Sequence, residues 1–268
     1  LSKSSRYLIA VCLGLSAFVI VAAAVAGQDA LQVDLRRVFA GISGEHWLGC
    51  DGLGRDVLAR LAAGLQLSLM VGVTVVIGSA AIGIALGLFS AWLGGWWDDV
   101  LMRLADVVLS FPGILLAIAL AAMLGPGVEN LVLALVAVGW VGFARLARGQ
   151  VLALKQVPFV QAAISNGVAA PVIAYRHLLP NIAAPLLVEA SFGLAAVIIG
   201  EAGLSFLGVG VQPPQASLGT MIREGTRVML VQPLLVIWPG LVLLSIVMAV
   251  NLLGDALRDR LDVRMAKD

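Results

Sequence analysis

The chain is 268 residues long, 61% of them hydrophobic and 12% charged, with a mean hydropathy of +1.04. That leaves too little polar surface to cover a single aqueous core, so the composition excludes a water-soluble globular domain and requires a polytopic membrane protein. A net charge of +1 points to neither nucleic acid nor an acidic partner, and the information lies in where the basic residues fall.

A bilayer-crossing helix needs about 20 mostly apolar residues, and polar, Gly and Pro punctuation divides the chain into such candidates. Six result, at about 7–27, 66–93, 101–124, 130–148, 186–208 and 233–254. The first follows Lys3 and Arg6 and ends in small residues that would suit signal cleavage. Its length fits a complete crossing, so an anchoring helix is expected. Six spans put both termini on one side. If that side is cytosolic, the inner segments hold eleven Lys and Arg against six outside (Arg36, Arg37, Arg55, Arg60, Arg223 and Arg227), the bias that the positive-inside rule requires.

Cys12 falls in the first span and Cys50 in the polar segment after it. Without CxxC spacing, neither a disulfide nor a metal site is expected. In that outside segment, 28–65, Leu48-Gly-Cys-Asp-Gly-Leu-Gly-Arg-Asp56 sets glycines beside alternating charge, which suits a tight turn into the next helix. Trp92, Trp96 and Trp97 gather at a span end, as an interfacial belt would. Arg103 and Asp106, three apart on one helix face, are placed to pair near the cytosolic end of the third span. Helix packing and a substrate contact would both use such a pair.

Residues 149–185 form a cytosolic connector. Gln161, Ala162 and Ala163 suit a helix, Gly167 interrupts it, Pro171 starts a second and Pro180 ends that one. The small residues leave a surface that another chain could approach closely, and an amphipathic loop lying on the headgroups is equally compatible with the composition. Glu201 lies deep in the fifth span, where an ionisable group costs roughly 2.5–3.5 kcal/mol and seeks the bundle interior or a wet cavity. A structural hydrogen bond and a pathway role both remain open for it. Gly203, Gly208 and Gly210 follow a span rather than a strand, and with no GxxxxGK[ST] the chain has no phosphate cradle, so close helix packing is expected there. Gln212-Pro213-Pro214 forces a turn in the outside connector 209–232. His46 and His177 are too few for a metal site, and no Ser-His-Asp or HExxH arrangement exists, so no catalytic residue is expected.

Ala162-Ala163, Gly167 four residues on and Leu179-Pro180 resemble the EAA signature of the inner-membrane permease subunits of ABC importers. Four further stretches resemble one branch of that family, the second permease of dipeptide, oligopeptide and nickel importers. They are Leu48 to Asp56; Met102-Arg103 with Asp106 and Ser110-Phe-Pro112; Glu201 to Pro214; and Asn251 to Asp259. The resemblance covers residues 46–262. Gln161 stands where the signature usually opens with Glu, Cys50 where Thr is usual, and Leu218 where Trp usually follows the Pro-Pro turn.

The resemblance implies an all-α polytopic bundle of six transmembrane helices with the type I permease fold. An N-terminal helix and external segment would occupy 1–65 and the permease core 66–268, with a coupling element at 158–181. ATPase coupling would run through Gln161, Ala162, Ala163, Gly167, His177, Leu179 and Pro180, with Arg103, Asp106 and Glu201 in the translocation path or the packing. The implied partners are a homologous second permease, two ATPase subunits that bind ATP and Mg, an external solute-binding protein and the lipid bilayer. No cofactor on this chain and no nucleic acid are expected. The implied place is the bacterial inner membrane, with both termini cytosolic. The implied cargo is a short peptide, with nickel or a metal chelate as the alternative. A stand-alone secondary transporter or channel would instead show paired intramembrane charges or matching broken helices in two halves, and the sequence shows neither.

Overall fold

The structure, a computed structural model, describes residues 29–265 continuously, with side chains to residue 261, preceded by the isolated positions 14, 17, 21, 24 and 27. The span expected at 7–27 and Cys12 fall outside the continuous description. After a single 3-10 turn at Leu35–Arg37 come nine α-helical elements among the described residues: α1 Val57–Leu93, α2 Gly95–Leu109, α3 Gly113–Leu124, α4 Val128–Leu154, α5 Pro158–Ser165, α6 Ala170–Ile173, α7 Leu179–Leu207, α8 Leu218–Thr226 and α9 Leu234–Met265. Among the described residues, four runs are long and apolar enough to cross a membrane: α1, α4, the unbroken stretch Ala170–Leu207, and α9. A fifth crossing results if α2 and α3 count as one broken span.

Helix α1 begins at residue 57, not 66, because its first turns, apolar but for Arg60, are folded into the body. Asp56 caps it, accepting from Ala59 N at 2.7 Å, and Arg60 is buried by ion pairing. At 1.5 Å per residue its 37 residues run about 55 Å, well beyond a hydrocarbon core of about 30 Å.

The third expected span, 101–124, is broken. Ser110-Phe111-Pro112 separates α2 from α3, and the two helices meet at 89°. Proline cannot donate to the preceding turn and its neighbour avoids helical ψ, so the helix stops before Pro112 and restarts after it. The charge pairs show how α2 lies. Asp98 binds Arg148 through Nε and Nη2, both at 2.6 Å, and Asp106 binds Arg145. The two aspartates are about 12 Å apart along α2, whereas their arginines are about 4.5 Å apart along α4, so α2 crosses α4 steeply. The expected Arg103–Asp106 pair does not form: Arg145 takes the carboxylate, and Arg103 is exposed. Two positions on one face of a helix lose to a partner that the tertiary packing brings closer.

Glycines set the central seam between α1 and α4. A Cβ at Gly83 would collide with the Trp140 carbonyl, and one at Gly87 with the Ala144 carbonyl. With Ser79 one turn earlier, these residues form a small-xxx-small stripe that lets the two backbones touch. Gly64 of α1 likewise admits Leu218 N, 3.1 Å from where its Cβ would be, and Gly219 admits the Ala202 backbone. Helix α8 therefore wedges its N-terminus between α1 and α7. A capping box at Ser217 and Thr220 closes that terminus.

Gly208 and Gly210 do not mediate helix–helix packing as expected. Gly208, at φ 86°, ends α7 in the left-handed conformation, and Gly210 lies against the backbone of Ser205 in the same turn.

Gly83→Ala is expected to lower thermal stability in detergent by about 1–3 kcal/mol, the usual cost of overpacking. Gly149→Ala, on the open side of α4 with no atom within 4 Å, should be neutral or gain up to about 1 kcal/mol from helix propensity. Comparing the two melting curves checks the seam.

Candidate functional site

The connector between α4 and α7 is a built structure. Lys155, at the end of α4, donates to the carbonyls of Ala91 and Trp92 at 3.0 and 3.3 Å and lies 5.4 Å over the Trp92 ring, pinning the connector to the end of α1. Pro158 opens α5, where a missing N–H costs nothing. Helix α5 ends in a Schellman motif: Val168 N donates to Ala163 O at 3.1 Å, and Gly167 N to Ile164 O at 3.0 Å, with Gly167 at φ 73°. The four-residue spacing from Ala163 to Gly167 is thus the spacing that this helix stop requires.

Pro171 starts α6 as expected, but Pro180 does not end the second helix. A π-turn over Ala174–Leu178, closed by Leu179 N to Ala174 O, carries the chain straight into α7. Widening the hydrogen-bond register just before Pro180 lets the helix pass a residue that cannot donate.

Val160, Ile173 and Leu178 face inward and pack with Val151, Phe143 and Ile182, so the connector rests on both α4 and α7. The opposite side is bare. Phe159, Ile164, Val168, Val172 and Tyr175 are exposed, Tyr175 to 79%. Of the expected coupling residues, Gln161, Ala162, Gly167 and Pro180 are exposed, while Ala163, His177 and Leu179 are half-buried. Gln161 Nε2 reaches only the Lys155 carbonyl, at 3.4 Å, and His177 sits 6.1 Å from the Phe159 ring. No atom lies within 4 Å of a Cβ placed on Gly167.

Glu201 lies far from this surface, near the opposite end of α7. It is fully buried and accepts from Ser68 Oγ at 2.6 Å and Ser205 Oγ at 2.8 Å, and Ser205 Oγ in turn accepts from Val211 N. Three elements meet at this carboxylate: α1, α7 and the loop leading to α8. Asp106, by contrast, is exposed beside Arg145.

The same end holds a group that the sequence did not single out. Asp51 accepts from Arg55 Nε at 2.7 Å and from Arg60, and Glu224 of α8 accepts from Arg55 Nη2 at 3.1 Å and Arg60 Nη1 at 2.8 Å. Both arginines are at least nine-tenths buried. The backbone N–H groups of Leu53 and Arg55 also donate to Asp51, at 2.8 and 2.9 Å. Burial alone would raise the Asp51 carboxyl. The Arg60 charge, the two backbone donors and the Arg55 charge outweigh it and hold the carboxyl below the usual range. Alternating charge at 51–56 was a visible signal of this cluster; Glu224, 164 residues from Arg60, was not. Beside it, burial and then the Asp56 charge push the free Cys50 thiol up, so it stays a thiol rather than a reactive thiolate.

A long-helix core with a pinned helical connector between α4 and α7 is matched by a family model. The model for the binding-protein-dependent transport system inner membrane component covers residues 83–267, from mid-α1 to the end of α9. The chain belongs to this family. It is an inner-membrane permease subunit of an ABC importer. Curated relatives include the glutathione transport system permease protein GsiD of Pectobacterium atrosepticum, 40% identical over 266 residues, or 97% of this chain and 88% of that protein. The GsiD proteins of Escherichia coli O6:K15:H31 and Shigella boydii serotype 4 are each 43% identical over 225 residues, or 84% of this chain and 74% of theirs.

Because the Asp51 carboxyl is held low in the folded permease, its contribution to stability is complete above the ordinary aspartate value of about 4 and is lost as pH falls below it. Asp51→Asn should cost up to about 3–5 kcal/mol at neutral pH by leaving two buried guanidinium groups to share Glu224 as their remaining carboxylate. It should also flatten the acid limb of a melting-temperature profile, which differential scanning fluorimetry from about pH 7 to about pH 3 would read.

Proposed function

We propose that the permease carries short peptides inward. It would form half of the path with a homologous second permease, driven by two separate ATPase subunits and supplied by an external solute-binding protein. The cargo assignment rests on the relatives, whose names specify glutathione, a tripeptide. Nickel or a metal chelate is the alternative cargo within the wider family. The first of six spans is placed at 7–27, and both termini in the cytosol, so that the 158–181 connector faces the ATPases.

The observation that carries this reading is the connector itself. It presents an exposed apolar rim and a glycine surrounded by free space, on a base packed against α4 and continuous with α7. Contiguous exposed apolar side chains on a structured element mark a contact surface. A push there moves the ends of two spans together, since neither α4 nor α7 can shift without Val160, Ile173 and Leu178. ATP-driven closure of the ATPases would supply the push, and the bundle would switch between inward-facing and outward-facing packings. Gln161, Ala162, Ala163 and Gly167 belong to the face that meets the ATPase, with Leu179, Pro180 and His177 at its base. Gln161 keeps the length and hydrogen-bonding capacity of the usual glutamate without its charge. Glu201, closed within the chain's own packing, is assigned a structural role, and Arg103 and Asp106 are assigned to the surface of α2.

Gly167→Arg tests the docking role. The left-handed backbone strains any side chain, but free space lets the fold persist. In proteoliposomes with the partner subunits, uptake should fall roughly tenfold or more while ATP hydrolysis continues; normal coupled uptake would refute the assignment. Glu201→Ala should lower detergent stability by about 1–3 kcal/mol by leaving two buried serine hydroxyls without the acceptor they donate to, with uptake per folded complex unchanged. Reduced uptake at unchanged stability would place Glu201 in the path instead. Peptide uptake measured beside nickel uptake in the same vesicles decides the cargo.

A further inference from the structure

A cavity of about 310 Å³ opens at the end opposite the connector, between the segment before α1 and helix α8. One wall is the Asp51, Arg55, Arg60 and Glu224 cluster, and Met221, Val228 and Leu235 line it with apolar surface. Its size falls at the lower end of small-molecule sites, which pair an apolar lining with a few polar groups.

Three features of this cavity go beyond what holding α1 to α8 requires. The first is charge: three arginines, Arg55, Arg60 and Arg227, face two carboxylates, Asp51 and Glu224. Arg60 spends Nη1 on both carboxylates and still has a buried Nε without an acceptor, so the wall offers more donors than its own acceptors use. The second is Arg227, at the exposed rim, which no carboxylate among the described residues pairs with. The third is Phe39. Among the described residues it is the non-glycine residue with positive φ, 55°, a conformation that an aromatic residue adopts only under constraint. Its amide donates to the Asp51 carbonyl at 3.0 Å, and its ring lies over Gly52, where a Cβ would stand 3.2 Å from Cζ. A residue with a strained backbone thus places its aromatic ring on the cavity lining.

We propose that this cavity binds the carboxyl end of a short peptide, with the carboxylate against Arg227, among the described residues the one positive charge of the lining that Asp51 and Glu224 leave over, and an apolar side chain against Met221, Val228 and Leu235. A guanidinium matches a carboxylate in geometry as well as charge. The permease thereby receives cargo at its outer mouth before the bundle closes behind it. This inference rests on the peptide-import reading and extends it to a subsite on this chain.

The test uses the complete permease–ATPase complex in nanodiscs without its solute-binding protein. Isothermal titration calorimetry measures binding of L-alanyl-L-phenylalanine and of its C-terminal amide. The free acid should bind saturably and the amide about tenfold more weakly, the loss expected for one charge-assisted hydrogen bond. Arg227→Gln should erase that difference, and Leu53→Trp, which fills the mouth from a 44%-exposed rim position, should abolish binding. Both substitutions are at exposed sites, and an unchanged melting temperature shows that each variant is folded. Equal binding of acid and amide, or no saturable binding, overturns the proposal. So does loss of binding-protein-stimulated ATP hydrolysis in Leu53→Trp when the wild type binds no peptide, because the cavity would then be a socket for that protein. Peptide uptake by the wild-type complex in proteoliposomes is measured alongside. An empty cavity with intact uptake sinks the subsite alone, whereas absent uptake sinks the import reading with it.

Discussion

Backbone-to-backbone contact between α1 and α4 is the constraint on which the rest of the permease depends. In a bilayer, lipid chains are as apolar as leucine, so helices associate through close packing rather than through expulsion of water. Ser79, Gly83 and Gly87 let α1 reach the carbonyls of Trp140 and Ala144. Three further elements are placed directly against this pair. Helix α3 runs back along α4, with Ala117 and Ala121 against Leu131 and Ala134. Helix α2 is strapped across the lower part of α4 by Asp98 and Asp106, and the connector grows from the end of α4 beside the end of α1.

The two ends of the seam are built from different physics. At one end, buried charge does the locking: Asp51, Arg55, Arg60 and Glu224 join the segment before α1 to α8, and Glu201 joins α1 to α7 through serine hydroxyls. Such networks are costly to bury and costly to break, so they hold one arrangement rather than permitting several. At the other end, Val160, Ile173 and Leu178 press an apolar connector onto the spans, and its outer rim stays exposed. Apolar contacts are non-directional and tolerate sliding. A charge-locked end and an apolar, exposed end are compatible with the proposed coupling role of the connector.

Much of this was legible in the chain. The membrane class and the spans at α1, α4, α7 and α9 follow from apolar length alone, and the helix–Gly–helix connector follows from turn chemistry at Gly167 and Pro171. The family was legible from motifs in order, and the match over residues 83–267 upholds it. The misses share a cause. Pro180 reads locally as a helix stop, and a π-turn five residues long absorbs it. Arg103 and Asp106 read locally as a pair, and Arg145 arrives from another helix. The Gly83-to-Gly87 stripe was in plain view but carries meaning only once its partner helix is known.

Local chemistry along the chain sets what each segment must avoid: water for the apolar runs, helical backbone at Gly167, an unpaired charge in the interior. Those demands are set by the chemistry of one residue and its near neighbours. Which groups meet those demands is set by helix packing, because Glu224 reaches Arg60 and Ser68 reaches Glu201 across gaps of 164 and 133 residues. A residue states its need for a partner within a few positions of itself, whereas the partner's identity depends on which helices pack.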